Sequence, residues 1–466
     1  MTALLDPLVA STVAMEVLAT AYATPRALAI EQNARLTRLL SAAVRDSPLY
    51  RERLRGVTPG VTPLADIPTV SRGELMARFD DWVTDPEVKL EELHAFTADF
   101  RRIGDLYRDK YIVWESSGTS RQPGVFVQDA HAMAVYDALE ALRRTAPHFI
   151  RRCLDPMLLN ERVAFVGATS GHFASVVSIQ RLRRVNPWMS KSLRCFSILQ
   201  SGATLVNQLN AFAPTVIVTY PTAAAMLADF AILGQLRVSP LEVWTGGEKL
   251  STRTRERVAQ AWGCTLRESY GASEFFSIGW ECGHGRIHAN TDWVILEPID
   301  KDGRAVPAGQ LSHSTLLTNL ANYVQPIIRY ELGDRLIMSD RRCECGSPLP
   351  VIDVEGRIDD TLVMAGRDGQ AVTLLPLALT TVLEDGAGVF AFQLRQRDRR
   401  TLVLRLDLQG AEAKAAAVRC RAALKRFATV QGLAPLSIVV EAGKPVPKGR
   451  SGKAQRIVAC GEPEKR

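Results

Sequence analysis

Cysteine is scarce, with eight in 466 residues. The first thirty residues are apolar enough to suggest a signal peptide. Asp6 and Glu16 interrupt them and no basic start precedes them, so a helical N-terminus is expected instead. Few cysteines without a secretion signal argue for a reducing compartment, where grouped cysteines hold metal more often than they form disulfides; the expected location is cytoplasmic. Long hydrophobic runs are also missing. The most apolar later stretch, residues 209–233, carries Pro214, Pro221 and Asp229, so it reads as a buried strand followed by a helix, and no membrane span is expected. There is no internal repeat, low-complexity tract or long Lys/Arg run. Lys and Arg number 57 against 50 Asp and Glu, a formal net charge of +7 spread along the chain. That balance favours anionic small molecules and excludes the electrostatic footprint of a nucleic-acid binder. Hydrophobic residues at 47% and charged residues at 23% exclude a disordered, collagen-like or coiled-coil chain.

What is present is alternation. After Pro25, Leu28, Leu36, Leu39, Leu40, Ala43 and Val44 recur at helical spacing and stop near Pro48, which predicts a packing helix. From Tyr111 onward, short apolar runs at 111–114, 163–166, 215–218 and 241–244 are separated by helical segments. Strands alternating with helices mean a mostly parallel sheet covered on both faces, whose ligands collect at the strand C-termini. Beyond a Pro/Cys/Gly-rich stretch the scale changes. Residues 392–394 and 402–406 read as strands, 411–428 as an Ala-rich helix and 436–440 as a further strand, a compact α+β unit. The expected fold class is α/β: a large N-terminal domain, residues 1–357, with mixed or parallel sheets flanked by helices, and a small α+β C-terminal domain, residues 358–466.

Several polar segments fall where such a fold presents its loops. Ser116-Ser117-Gly118-Thr119-Ser120 lies between two apolar runs and can wrap phosphate with backbone N–H and side-chain O–H groups, or serve as a plain polar turn. It is not a Walker A loop, because no Gly-Lys-Ser/Thr follows. Tyr270-Gly271-Ala272-Ser273-Glu274 supplies an aromatic face, a close-approach glycine and a carboxylate able to hold Mg²⁺ beside phosphate oxygens. In Arg329-Tyr330-Glu331-Leu332-Gly333-Asp334, a carboxylate just after a glycine turn can accept both hydroxyls of a ribose; the bland alternative is an Arg–Asp surface pair. Pro447-Lys448-Gly449-Arg450-Ser451-Gly452-Lys453 is a flexible basic loop.

The order of these motifs, with Gly246-Gly247-Glu248, Gly356-Arg357-Ile358-Asp359-Asp360 and the terminal Ser-Gly-Lys, resembles the adenylate-forming (ANL) superfamily of acyl- and aryl-CoA synthetases. Cys343-Glu344-Cys345-Gly346 before Gly356-Arg357, Asp46-Ser47-Pro48-Leu49-Tyr50-Arg51 and Ile67-Pro68 make the phenylacetate-CoA ligase family the most similar branch. The resemblance spans residues 30–457. It implies that Ser116, Ser117, Gly118, Thr119 and Ser120 cradle pyrophosphate, and that Gly246, Gly247 and Glu248, with Tyr270 and Gly271, border adenine. Ser273 would face the phosphates, Glu274 would carry Mg²⁺, Asp334 would hold the ribose hydroxyls and Arg357 would touch ribose or phosphate. Lys453 would bridge the substrate carboxylate and the α-phosphate of ATP, a role that suits a compact ammonium on a long stem. Asp359 matches the family hinge, about which the small domain rotates between adenylation and thioester formation.

The acyl pocket is expected from Tyr136, His172, Tyr220, Pro221, Thr222, Ala223, Gly271 and Ala272, a set with room for a flat ring. Cys282, His288, Cys343 and Cys345 offer four soft or borderline ligands for a structural Zn²⁺, with His284 as the competing histidine; matching positions carry zinc in some members of the resembled family. Two segments depart from the family pattern. Arg121-Gln122-Pro123 replaces the usual Gly-Lys-Pro beside the phosphates, and residues 364–370 differ where the thioester conformation forms. The expected activity is ATP-dependent conversion of an aromatic or arylacetic acid to its acyl-adenylate and then to a CoA thioester. A carrier-protein thiol or an amine is the alternative acceptor, and a non-catalytic nucleotide-binding relative is the rival from another class. Subunit pairing is common in the family, so a homodimer is an admissible assembly.

Overall fold

The computed structural model describes residues 6–116, 124–143, 160–355, 361–389, 392–447 and 456–460. The chain opens with helices Pro7–Thr20 and Pro25–Asp46, each started by proline and capped by a side chain, Asp6 and Thr24. Strands β1 (Ile112–Glu115) and β2 (Val125–Gln128) pair antiparallel in a two-stranded sheet.

Next come the β-α-β units. Strands β3 (Val163–Gly167), β4 (Leu193–Ser197), β5 (Val216–Thr219), β6 (Glu242–Gly246) and β7 (Thr265–Tyr270) are joined by helices Ala174–Val185, Gly202–Phe212, Pro221–Ile232 and Thr252–Trp262. These strands pair in parallel, and their residues are apolar on both sides because helices cover both faces: Val216, Ile217, Val243 and Trp244 are all buried. The sheet continues with antiparallel strands β8 (Gly279–Glu281) and β9 (Ile287–Ala289). A separate antiparallel sheet holds β10 (Val294–Ile299), β11 (Ser314–Asn319) and β12 (Tyr330–Glu331). Strands β13 (Arg335–Met338) and β14 (Val351–Glu355) return to the edge of the large sheet. Among the described residues that sheet has nine strands in the order β13-β14-β9-β8-β7-β6-β5-β3-β4.

The chain then forms the hairpin β15 (Leu362–Ala365) and β16 (Ala371–Leu374), helix Pro376–Ala387, and a second mixed sheet. Its strands are β17 (Phe392–Asp398), β18 (Thr401–Leu406), β19 (Ser437–Ala442) and β20 (Ile457–Val458), in the order β19-β18-β17-β20 and backed by helix Gly410–Val430. Gln431 donates its side-chain amide to the carbonyls of Leu199 (3.1 Å) and Gln200 (2.8 Å), which ties this part to the loop after β4. Among the described residues, no helix is long and apolar enough to cross a membrane. The architecture is α/β, a large mixed sheet flanked by helices followed by a smaller α+β region.

Topology decides where a ligand can sit. From β3 the chain crosses to β4 on one side and then returns to β5 on the other. In a parallel sheet with that reversal, ligands collect at the C-terminal ends of the strands, here β3, β5, β6 and β7.

Candidate functional site

Three of those strand ends carry segments singled out in the sequence. Strand β5 delivers Tyr220, β6 ends at Gly246 and β7 at Tyr270. The glycines are there because the backbone is crowded. A Cβ on Gly247, whose φ is +80°, would lie 3.2 Å from the Tyr220 ring, and one on Gly271 would lie 2.0 Å from the carbonyl oxygen of Phe276. The turn after Gly271 is closed by reciprocal backbone bonds between Ala272 and Phe275, at 3.0 and 3.2 Å. The Ser273 carbonyl accepts the indole N–H of Trp114 at 2.8 Å, so this turn is pinned to β1.

The two acidic motifs are laced together. Each has a tyrosine followed four residues later by a carboxylate, Tyr270 with Glu274 and Tyr330 with Asp334. In space each tyrosine serves the other motif: the Tyr270 hydroxyl donates to Asp334 Oδ2 at 2.9 Å, and the Tyr330 hydroxyl donates to Glu274 Oε1 at 2.5 Å. Burial, reinforced by the adjoining carboxylates, raises both phenols well above their ordinary pKa, so each stays protonated and each donates. Glu274 is 3% exposed, and its carbonyl accepts the Asn319 amide at 2.8 Å. Its carboxylate also meets Arg72, Nη2 to Oε1 at 3.2 Å, and Arg72 Nε donates to the Tyr330 oxygen at 3.0 Å. Neither Arg72 nor Tyr330 stood among the expected site residues. The signal for Tyr330 was its fourfold spacing to Asp334; Arg72 lies 202 residues from its partner, a distance no local pattern reports.

Arg329 turns away from Asp334. It is buried, adopts φ +48°, and pairs with Glu297 at 3.0 Å while donating to the carbonyls of Ala65 and Ile67, so the Arg–Asp surface pair is not what forms. Ser116 is buried at the end of β1, its hydroxyl accepting the Gly124 N–H at 2.9 Å. Glu248 accepts the backbone N–H of Thr222 at 3.0 Å and its hydroxyl at 3.1 Å, and so occupies the N-terminus of helix Pro221–Ile232. Tyr220 packs edge-on to Phe165, and burial pushes its hydroxyl up to about 12. Pro221 is buried behind it.

Tyr136 is 1% exposed inside the core, accepting from Asn319 at 3.0 Å and donating to Gln128 at 3.4 Å. His172 is equally closed, with Nε2 3.2 Å from the Asp99 carbonyl and its ring against Phe96. Ser117, Gly118, Thr119, Ser120, Arg357, Asp359 and Lys453 lie outside the described residues.

The cysteine and histidine candidates do assemble. Cys282 follows β8, His288 is on β9, and Cys343 and Cys345 lie between β13 and β14; their four donor atoms are all within 4.8 Å of one another. Cys282 and Cys343 sulfurs are 3.7 Å apart. Two thiolates about 2.3 Å from a tetrahedral zinc would be separated by about 3.8 Å, so the donor set fits that ion. Cys345 Sγ is 3.2 Å from His288 Nε2, while Nδ1 faces the Leu349 carbonyl at 2.9 Å, the outer-shell bond that would turn Nε2 toward a metal. His284 is exposed beside Glu344 and outside the cluster.

No protein-family profile matches the chain. Protein CapK of Staphylococcus aureus is 22% identical over 131 residues, 28% of this chain and 28% of that protein. Among solved structures, 2-hydroxyisobutyryl-CoA ligase with 2-HIB-AMP and CoA in the thioesterification state superposes at a TM-score of 0.55 with 20% identity, covering 92% of this chain and 88% of that chain. The same ligase in the postadenylation state gives 0.52 with 20% identity over 92% and 88%. The chain therefore shares the fold of a CoA ligase of that kind along nearly its whole length.

Proposed function

We propose that the chain is an ATP- and Mg²⁺-dependent ligase of the adenylate-forming superfamily, closest in kind to the phenylacetate-CoA ligase branch. It converts an aromatic or arylacetic acid to its acyl-adenylate and transfers the acyl group to CoA. The observation that carries this reading is the lacing of Tyr270 to Asp334 and Tyr330 to Glu274 at the C-terminal edge of the parallel sheet. It gathers an aromatic face and two carboxylates beside the strand ends where ligands of such sheets collect, as a nucleotide carrying a divalent cation requires.

Each residue then has a task. Asp334 accepts the ribose hydroxyls, exchanging its bond from Tyr270 for them. Gly246 and Gly247 offer flat backbone to the adenine, which Tyr270 borders, and Ser273 faces the phosphates. Glu274 presents one buried oxygen to Mg²⁺, which when bound offsets phosphate charge so that a second anion can approach. The loop Ser116, Ser117, Gly118, Thr119 and Ser120 cradles the pyrophosphate, and Arg357 contacts ribose or phosphate. Lys453 bridges the attacking carboxylate oxygen and the α-phosphate; the carboxylate displaces pyrophosphate, and a thiolate then displaces AMP from the acyl carbon. A turn about Asp359 would withdraw Lys453 between the two steps. Tyr220, Pro221, Gly271 and Ala272 line the acyl site, with Tyr136 and His172 supporting it from behind. Cys282, His288, Cys343 and Cys345 hold a structural Zn²⁺ that braces β8, β9 and β14.

ATP–pyrophosphate exchange across aryl, arylacetic and aliphatic acids, followed by product analysis with CoA, tests the reading. Exchange dependent on an aromatic acid and yielding its CoA thioester is the expected result, and Lys453→Ala should lower the exchange rate by several orders of magnitude. Exchange without thioester moves the acceptor to a carrier-protein thiol or an amine, and no exchange with any acid overturns adenylation.

A further inference from the structure

Glu274 is held from an unexpected direction. The segment that reaches it comes from the N-terminal third of the chain and is fastened to β12: the Val70 N–H donates to the Arg329 carbonyl at 3.1 Å and the Val70 carbonyl accepts the Glu331 N–H at 2.9 Å, a parallel bridge opposite Tyr330. Ser71 then caps helix Arg72–Ala77 in a reciprocal box with Glu74, which fixes the backbone of Arg72 at the first helical position. Two residues beyond a strand bridge, the guanidinium has little freedom to go elsewhere. Its Nη2 meets Glu274 Oε1 and its Nε meets the Tyr330 oxygen, whose proton is donated to that same Oε1. Among the described residues, both donors to the carboxylate thus converge on one oxygen. Among the described residues, no hydrogen bond reaches Oε2.

We propose that Arg72 is a positioning residue for nucleotide-bound cation: with Tyr330 it clamps Oε1 of Glu274 so that Oε2 is the oxygen offered to the divalent ion that enters with ATP. This rests on the ligase reading, in which Glu274 is the cation ligand. Two effects of Arg72 oppose each other, and the direction of the outcome follows from the species that binds. A bare cation is repelled by the guanidinium. A cation chelated by a triphosphate is part of a net anion, so the same charge attracts it while the pinned carboxylate meets its metal without first having to be ordered. The buried side chain also needs the pairing, because an ionised carboxyl with 4% of its side chain exposed is costly to leave uncompensated, and Arg72 is its cationic neighbour at 3.2 Å.

The test uses the full chain and Mn²⁺ with α,β-methylene-ATP, read by the enhancement of water-proton relaxation when the Mn²⁺–nucleotide chelate binds the protein, over that of the chelate alone, so that no turnover is needed. Arg72→Ala should weaken nucleotide-dependent Mn²⁺ binding roughly ten- to a hundredfold, the range seen when the outer-shell partner of a metal ligand is removed. The Mg²⁺ concentration for half-maximal exchange should rise in parallel while the KM for the acid stays unchanged. Arg72→Lys should recover part of the loss, and added guanidinium ion should restore part of Arg72→Ala. Tyr330→Phe keeps the ion pair and should lose less than Arg72→Ala; with Arg72→Lys it tests the clamp even where Arg72→Ala does not fold. Wild-type binding that Arg72→Ala leaves unchanged or tightens, or a loss confined to the acid KM, overturns this inference alone. A wild-type chain that binds no Mn²⁺ with nucleotide overturns it together with the ligase reading.

Discussion

His172 shows how burial fixes a single group. It is 1% exposed, Nε2 meets the Asp99 carbonyl, and among the described residues Nδ1 has no hydrogen-bond partner. Burial holds its pKa below the usual imidazole value, against the smaller upward pulls of the Asp99 carbonyl and Glu115. The folded protein thus keeps His172 neutral where the unfolded chain, with a pKa of about 6.5, already binds a proton. Stability attached to this residue is fully present above that value and is lost as pH falls through the lower folded pKa. Urea unfolding at pH 7.5, 6.5 and 5.5 should show a decline below 6.5 with a one-proton slope of at most about 1.4 kcal/mol per pH unit. His172→Gln should flatten that part of the curve, and an unchanged slope in the variant would assign the proton elsewhere. The same scale separates what was legible from what was not. Tyr270, Glu274 and Asp334 stood out by motif, whereas the exchange of tyrosines between motifs and the intrusion of Arg72 are properties of packing.

At the scale of elements, short helices stand or fall by their ends. Helix Arg72–Ala77 has six residues, too few to be stable by propagation, so its Ser71–Glu74 box carries much of its local stability. Ser71→Ala should lower the unfolding free energy by about 1 kcal/mol and weaken Mn²⁺–nucleotide binding, because the frayed residue is Arg72. Ser201→Ala removes the cap of helix Gly202–Phe212, where Ser201 accepts the Thr204 N–H at 3.2 Å, and should cost a similar amount with binding untouched. Equal binding losses in both variants would reduce the Ser71 effect to general destabilisation. Strands β3, β5 and β6 fall within a residue or two of the apolar runs that announced them, since a sheet covered on both faces demands continuous apolar segments. Helix Pro376–Ala387 was silent in the sequence for a related reason. Pro376, Ala378, Leu379, Thr380, Thr381 and Leu383 are all buried, so it has no polar face to mark a 3.6-residue period.

Across the whole molecule, ties between distant segments govern stability. The cysteine–histidine cluster joins the β8–β9 hairpin to the connection between β13 and β14, at the antiparallel end of the nine-stranded sheet. Purified protein should contain about one Zn²⁺ per chain by elemental analysis. Stripping it with a strong chelator, or substituting Cys343→Ser, should lower Tm by several degrees, because the metal's binding free energy is then lost from the folded state. Metal-free protein with an unchanged Tm would make the cluster four reduced side chains. Spacing had left His284 and His288 in competition. The fold chose between them, because β9 pairs with β14 at His288 and Val351 while His284 sits on the exposed hairpin tip.

The sequence by itself determined the alternation of strands and helices, the α/β class, the change of scale after residue 360 and the glycine and acidic motifs at strand ends, since each depends on residues close together in the chain. Only the tertiary structure decided which tyrosine serves which carboxylate, which histidine joins the cysteines, and that an arginine 202 residues away clamps Glu274. Those choices are made by strand order and by the burial of charge, which act between segments that share no local pattern and become neighbours only when the sheet is assembled.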